Sequence, residues 1–443
     1  MDDYRAIADQ IAADVAAGRL RPGDRLPPQR WFARERGIAS STAARVYGEL
    51  VRRGLAVGEV GRGTFVRAAT GPVDPALAEP AAAARVDLEL NFPVLPEQAG
   101  LLAKSLASLV RPDVLEATLR PVGAAGTPRA RQAAAALLAR GGWAPDPADL
   151  LFAGNGRQAI AAAIAALVPP GERLGVERLT YPVVKGIAAR LGVTLVPLAM
   201  DEAGVIPDAL AEGPPLRAIY VQPTLHNPLG LTMPDERRAA LAAAIRQQGM
   251  YAIEDSIYGF LRQDLPPLAV LEPERVMVVD SLSKRVAPGL TLGFVVPPRR
   301  IATDVAAALR SGTWMATRFA LDAATCWMND GTVAVICEAK REDAAARQRI
   351  AADRLGAFHL RTDPHAYHCW WELPEPWRAD TFVAAAARRG IAVTPAGSFT
   401  VSAGHVPNAV RLALASPPRD VLATALDTLA QLAGHAPEDS GLE

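Results

Sequence analysis

Apolar positions near the start of the chain fall into helical stretches and a pair of short strands. Ile7, Ile11 and Val15 repeat at a helical period, and that stretch closes at Gly18. The turn RPGDRLPPQR, rich in Pro and Gly, leads into a short helix, QRWFARERG, which Gly37 breaks. SSTAARVYGELVRRG predicts a further helix, with hydroxyl capping residues in front and Gly54 behind. LAVGEVGRGTFV reads as two strand-like pieces joined by glycines, a hairpin. The pattern then changes. AATGPVDPALAEPAAAARV is rich in Ala and Pro without an amphipathic period, which is a linker composition. Beyond it, continuously apolar runs alternate with Ala-rich helices: LLFAG, a helix from Arg157, RLGVE, TLVPLA, AIYVQP, MYAIED and RVMVVDS. Apolar runs alternating with helices predict a mainly parallel sheet covered on both faces.

The predicted architecture is therefore a winged helix-turn-helix over residues 1–69, a linker over 70–87, and an α/β domain over 88–435. From about residue 340 helices mix with YHCWWEL and AVRLALA, which reads as a smaller α/β lobe, with Trp370 and Trp371 in its core. There are no internal repeats. Composition narrows the classes. Half of the 443 residues are hydrophobic, and no apolar run approaches the roughly 20 residues needed to span a bilayer. The acidic, polar start MDDYRAIADQ argues against a signal peptide. Cys326, Cys337 and Cys369 are odd in number and widely spaced, which suggests neither a disulfide framework nor a metal site, and the expected compartment is the cytoplasm. The formal net charge is zero, but residues 1–70 hold 12 Arg, no Lys and eight acidic residues. Any nucleic-acid surface is thus local, and it lies at the N-terminal end.

A helix-turn-helix places the N-terminal side chains of its second helix against bases and phosphates. Here these are Ser40, Ser41, Thr42 and Arg45, with Arg30 on the preceding helix and GRGT (Gly61 to Thr64) at the wing tip, where Arg62 could enter a minor groove. A small helical domain for protein contacts would show the same spacing. The segment GDRLPPQRWFARERGIASSTAARVYGELVRRGLAVGEVGRGTFV resembles the GntR-type winged helix along its full length. That resemblance implies duplex DNA as a partner and Arg30, Thr42, Arg45 and Gly63 as contacts. Ser40 stands where the family often has Arg, a departure that bears on which operator is read.

The α/β domain raises a question of chemistry. Only Lys104, Lys185, Lys284 and Lys340 are lysines; the other 43 of the 47 basic residues are arginine. Lysine can lose its proton and attack a carbonyl, whereas arginine cannot. Lys284, in SLSKRVAPGLTLGF, is either one more surface cation or the amine for a carbonyl cofactor such as pyridoxal 5′-phosphate (PLP). PLP needs a phosphate cradle, a carboxylate for its pyridine nitrogen, a donor to its ring hydroxyl and an aromatic to stack on the ring. Candidates stand at the ends of predicted strands, where open α/β sheets bind ligands. FAGNGRQAI places Gly154, Asn155, Gly156 and Arg157 at a strand-to-helix turn that favours an anion. LTYP supplies Tyr181, QPTLHNPLG Asn227, IEDSIYG Asp255 and Tyr258, and SLSK the Ser281 hydroxyl. Asp255, ending an apolar strand, is the sharpest, because a buried carboxylate is costly unless it meets a cation.

PTLHNPLG, EDSIYG, SLSKRVAPGLTLG and PNAVRLALASP make residues 88 to about 430 resemble fold-type I, class I aminotransferases. By that resemblance Lys284 forms the internal aldimine, Asp255 pairs with the pyridine nitrogen, Asn227 and Tyr258 reach the ring hydroxyl, and Arg411 clamps a substrate or effector carboxylate. Two departures stand out. Thr291 occupies the position of a phosphate-gripping arginine, and Asn155 and Gly156 replace small and hydroxyl residues in the phosphate turn. Either Arg157 or Arg285 replaces the missing charge, or the cofactor is held more loosely. The two halves together resemble the MocR family of regulators. The resemblance implies a homodimeric, PLP-dependent transcriptional regulator sensing an amine, an amino acid or the vitamer itself through exchange at Lys284. The alternatives are an active aminotransferase with an accessory DNA module, or a dimerisation scaffold with a vestigial site.

Overall fold

In the computed structural model the described residues are 4–16, 19–20, 24–52, 55–59, 63–66, 86–401 and 406–435. The chain divides into two compact units, Met1–Ala78 and Glu79–Glu443. In the first, α1 (Tyr4–Ala16), α2 (Gln29–Glu35) and α3 (Ser40–Arg52) precede an antiparallel hairpin of β1 (Ala56–Glu59) and β2 (Gly63–Val66). Each helix buries one stripe: Ile7 and Ile11, then Phe32 and Ala33, then Ala43, Val46, Tyr47 and Leu50. Phe32 meets Tyr47 edge-on at 5.4 Å, and the Tyr47 hydroxyl donates to Pro27 O at 2.5 Å, which ties α3 to the turn before α2. That turn also joins the hairpin, with Leu26 N donating to Thr64 O and Val66 N to Asp24 O, both at 2.8 Å. One expectation shifts: Ser40 is the first helical residue, so Ser40 to Thr42 form the first turn of α3 rather than precede it.

The second unit opens with β3 (Val86–Leu88), so Val86 and Asp87 sit in a strand although the sequence reads them as linker. Then come β4 (Leu151–Ala153), β5 (Arg173–Glu177), β6 (Thr194–Leu198), a small hairpin of β7 (Met200–Asp201) and β8 (Gly204–Val205), β9 (Ala218–Val221), β10 (Tyr251–Asp255), β11 (Val276–Ser281) and β12 (Gly293–Val296). The large sheet runs β4-β12-β11-β10-β9-β5-β6. Neighbours are parallel except at β12, which is antiparallel to both β11 and β4. Its central strands are buried along their whole length, which explains their unbroken apolar runs. Gly293 starts β12 where a Cβ would lie 2.4 Å from Asn155 O, so only glycine lets this strand pass the turn after β4.

The 24-residue helix Thr332–Leu355 leads to β13 (Leu360–Arg361), β14 (His368–Glu372), β15 (Ile391–Pro395) and β16 (Ala409–Ala413). These form a second sheet ordered β13-β14-β16-β15-β3, with β3 parallel to β15. Trp370 and Trp371 are both buried; Trp371 packs edge-on against Phe382, and Trp370 against Phe399. No helix among the described residues is long and apolar enough to cross a membrane.

Candidate functional site

On the first unit, burial of Ala43, Val46, Tyr47 and Leu50 leaves Ser41 and Arg45 exposed on α3, with Thr42 half-buried. Arg30 is exposed on α2, and the Arg45 guanidinium lies 5.8 Å from the centre of the Tyr4 ring. Gly63 begins β2 opposite Glu59. Arg62 lies outside the described residues.

On the second unit, the ends of β4, β5, β9, β10 and β11 carry the other candidates. Asn155 caps the helix Gly156–Leu167, its Oδ1 accepting from Gln158 N at 2.9 Å. A Cβ at residue 156 would lie 2.9 Å from Ser281 Oγ, so the glycine brings that helix start onto the end of β11. Ser281 Oγ shares a 2.6 Å hydrogen bond with Ser283 Oγ. Thr291 Oγ1 is buried nearby in sequence and has no hydrogen-bond partner among the described residues. The helix N-terminus at Gly156 beside the Ser281 and Ser283 hydroxyls makes a cradle of the kind a phosphate fills.

The two arginines offered for the Thr291 position differ sharply. Arg285 is buried, pairs with Asp280 Oδ2 at 2.6 Å and stacks on Phe260 at 5.2 Å. It is committed to the core. Arg157 is exposed at the helix start and hydrogen-bonds the Tyr181 side chain, and its charge is among those that lower the Lys284 pKa.

Asp255 is 4 % exposed. Its Oδ2 accepts from Tyr220 Oη at 2.5 Å and Gln222 Nε2 at 2.9 Å, and its Oδ1 from Ile257 N at 3.1 Å. Burial raises its carboxyl to about 6 despite these donors. Among the described residues no cation pairs with it, which leaves a buried carboxylate suited to a cationic ring nitrogen. Gln222 also reaches Asn227, accepting from its N–H at 3.2 Å, so one side chain links two candidates.

Lys284 lies in the short helix Leu282–Arg285. Its Nζ donates to Asn91 O at 2.5 Å and sits 4.8 Å from the centre of the Phe92 ring. Burial first, then the charges of Arg411, Arg157 and Lys340, bring its pKa down to about 7. The neutral, nucleophilic amine is therefore well populated near neutrality. Asn91 Nδ2 donates to Tyr258 Oη at 3.1 Å, and burial pushes the Tyr258 hydroxyl up to about 12. Arg411, 7 % exposed, donates to Asn227 Oδ1 at 3.2 Å, to Thr394 Oγ1 at 3.0 Å and to Glu89 O. Its Nε is buried without a partner, and it makes no ion pair among the described residues. Sequence reasoning missed Asn91, Tyr220, Gln222 and Thr394. The first precedes the sheet by some sixty residues and the next two sit in or beside an apolar strand, so no local motif marks them.

The lysine, the buried carboxylate and the helix start at Gly156 stand at strand ends of the large sheet, and Arg411 reaches Asn227 from β16 of the second sheet, an arrangement that fits PLP on an aminotransferase fold. Solved structures agree on the fold. A kynurenine aminotransferase from Pyrococcus horikoshii superimposes with a TM-score of 0.72 at 20 % identity, covering 80 % of this chain and 91 % of that one. An archaeal alanine:glyoxylate aminotransferase gives 0.71 at 23 % identity, covering 79 % and 90 %. Residues 119–429 match the family described as aminotransferase class I and II, and residues 3–66 match the bacterial regulatory proteins of the gntR family. The chain is 29 % identical over 420 residues to an uncharacterized HTH-type transcriptional regulator, YdeF, of Bacillus subtilis (strain 168), covering 94 % of this chain and 90 % of the relative. It is 26 % identical over 404 residues to the pyridoxine biosynthesis transcriptional regulator PdxR of Corynebacterium glutamicum, covering 88 % and 86 %. The chain belongs to the aminotransferase class I and II family and, with a GntR-type winged helix in front, is a PLP-dependent DNA-binding transcriptional regulator of the MocR type.

Proposed function

We propose that the second unit senses a small amine bearing a carboxylate and that its occupancy sets the DNA affinity of the winged helix, in a cytoplasmic homodimer. The observation that supports this reading is Arg411: a buried guanidinium held only by neutral oxygens, with one N–H unpaired, beside a lysine of lowered pKa. A buried cation without a counter-ion is costly, and a ligand carboxylate removes that cost. Bound PLP supplies an aldehyde that one primary amine at a time can hold. Asn155, Gly156, Arg157 and Ser281 hold its phosphate, Asp255 its ring nitrogen, Asn227 and Tyr258 its ring hydroxyl, and Tyr181 stacks on its ring.

The chain's own contribution to sensing lies in one short segment. Glu89 O accepts from Arg411 and Asn91 O from Lys284, so two main-chain carbonyls, two residues apart, occupy both cations. A ligand carboxylate at Arg411 would displace the first, and a ligand amine that takes the place of Lys284 at the aldehyde would leave the lysine amine free to hold the second. That segment directly follows β3 and the linker in sequence, which carries the change toward the winged helix. A preference of about 1–3 kcal/mol for one arrangement is enough to shift DNA affinity five- to a hundredfold. Three positions, Arg30, Ser41 and Arg45, with Thr42, Arg62 and Gly63, form the DNA-reading surface.

The test is the absorbance spectrum of purified protein with added PLP, wild type beside Lys284→Ala, titrated with amino acids and amines. A visible band that requires Lys284 and shifts with a carboxylate-bearing amine supports the reading. Steady conversion of an amino acid with a keto acid would instead make the protein an aminotransferase with a DNA module. No band at saturating PLP would leave a DNA-binding scaffold.

A further inference from the structure

We infer that Lys340 is a positioning residue for the cofactor lysine: from the helix Thr332–Leu355 its amine holds the main-chain carbonyls of Lys284 and Val286 and, when protonated, opposes a second positive charge on the Lys284 amine. Lys340 is 0 % exposed, and its Nζ donates to Lys284 O at 3.0 Å and to Val286 O at 2.6 Å. It makes no ion pair among the described residues. Hydrogen-bond satisfaction alone does not explain it, because Val286 O already accepts from Gln98 Nε2 at 2.8 Å. Nor is lysine a default cation in a chain with only four. The helix Leu282–Arg285 is one turn long, so its own backbone holds Lys284 weakly, and the C-terminal carbonyls of that turn are where a cation is stabilising.

The long helix is itself anchored at this level: Tyr367 Oη donates to Lys340 O at 2.8 Å and to Asp343 Oδ2 at 3.1 Å. Burial lowers the Lys340 amine to about 7, and the charged and titratable groups facing it are Lys284 itself, Cys337, whose thiol hydrogen-bonds Arg285, and Asp343, which is already paired with Arg347 at 2.7 Å and Arg419 at 2.8 Å. Those facing Lys284 are Arg411 from β16, Arg157 from the helix after β4, Lys340 itself and Asp255 from β10. Of these groups Lys340 is the one that also holds the Lys284 main chain.

This inference rests on Lys284 being the cofactor lysine. The experiment is a pH titration, from 5.5 to 9.5, of the Lys284-dependent visible band in the full-length PLP-loaded protein and its variants. In Lys340→Met the titration midpoint rises by up to about one pH unit, a tenfold gain in proton affinity, because a protonated Lys340 amine no longer opposes a second positive charge at Lys284. Lys340→Gln keeps a donor for the carbonyls but not the charge; it shows the same midpoint shift with PLP affinity near wild type, whereas Lys340→Met also binds PLP more weakly. Gln98→Leu removes only the neutral donor to Val286 O and keeps the wild-type midpoint. Unchanged midpoints in both Lys340 variants, or an equal shift in Gln98→Leu, overturn the inference. A wild-type protein without any Lys284-dependent band overturns the reading beneath it instead.

Discussion

Replacing Asp255 by Asn separates what the empty site costs from what it binds. In the protein without cofactor the Asp255 carboxyl is raised from 3.8 to about 6 by burial. Its folded pKa lies above its unfolded one, so the folded state is favoured below about pH 4 and this advantage is lost as pH rises through 6. At pH 7.5 the charged carboxylate therefore costs about 3 kcal/mol of stability, at about 1.4 kcal/mol per pKa unit. Asn at this position still accepts from Tyr220 Oη and carries no charge. The cofactor-free Asp255→Asn protein is thus expected to gain up to about 3 kcal/mol at pH 7.5 and only about 1 kcal/mol near pH 4.5. With PLP the sign reverses. Loss of a charge-assisted bond of about 1.5–3 kcal/mol to the ring nitrogen weakens the cofactor roughly ten- to a hundredfold. Equilibrium urea unfolding at the two pH values, with and without PLP, reads both effects. A cofactor-free variant no more stable than wild type at pH 7.5, with unchanged PLP affinity, would refute the assignment of Asp255.

Four further outcomes follow from the structure. Arg157→Ala weakens PLP about tenfold with little change in stability, and Thr291→Arg restores that affinity, since a charge-assisted phosphate contact contributes on the order of 1.5 kcal/mol or more. Arg285→Met instead destabilises the fold by about 3–5 kcal/mol, because Asp280 is left buried and unpaired; urea unfolding beside PLP titration distinguishes the two arginines. Arg411→Lys keeps the PLP spectrum but loses more than tenfold in response to carboxylate-bearing amines, as an ammonium cannot reproduce the fork that spans Asn227 and Thr394. Arg45→Ala weakens duplex binding across sequences and lowers the salt slope by about one, measured by fluorescence anisotropy between 50 and 200 mM salt.

Much of the α/β domain was legible because its strands are buried on both faces: AIYVQP and MYAIED stand out as runs, and the Asp255 that ends the second accepts from Gln222 at the close of the first. What escaped was set by long-range contact. β12 was missed because its four apolar residues follow directly on the lysine motif and look like its continuation. Asn91 meets Lys284 across 193 positions of sequence, and nothing local distinguishes it from a turn asparagine. Tyr220 reads as strand core until Asp255 appears beside its hydroxyl. Arg285 and Arg157 were equivalent candidates in sequence, and only the position of Asp280 separates them. Val86 and Asp87 share the composition of the linker, yet β15 offers them an edge to pair with.

The central question is whether ligand occupancy at Lys284 governs DNA binding. The most direct measurement is fluorescence anisotropy of the full-length, PLP-saturated protein on duplex DNA from upstream of its own reading frame, with and without a panel of carboxylate-bearing amines, wild type beside Lys284→Ala. The expected result is at least one amine that changes wild-type affinity fivefold or more, about 1 kcal/mol, and leaves Lys284→Ala unmoved. A Lys284→Ala protein that responds to the same amine as wild type does would contradict it.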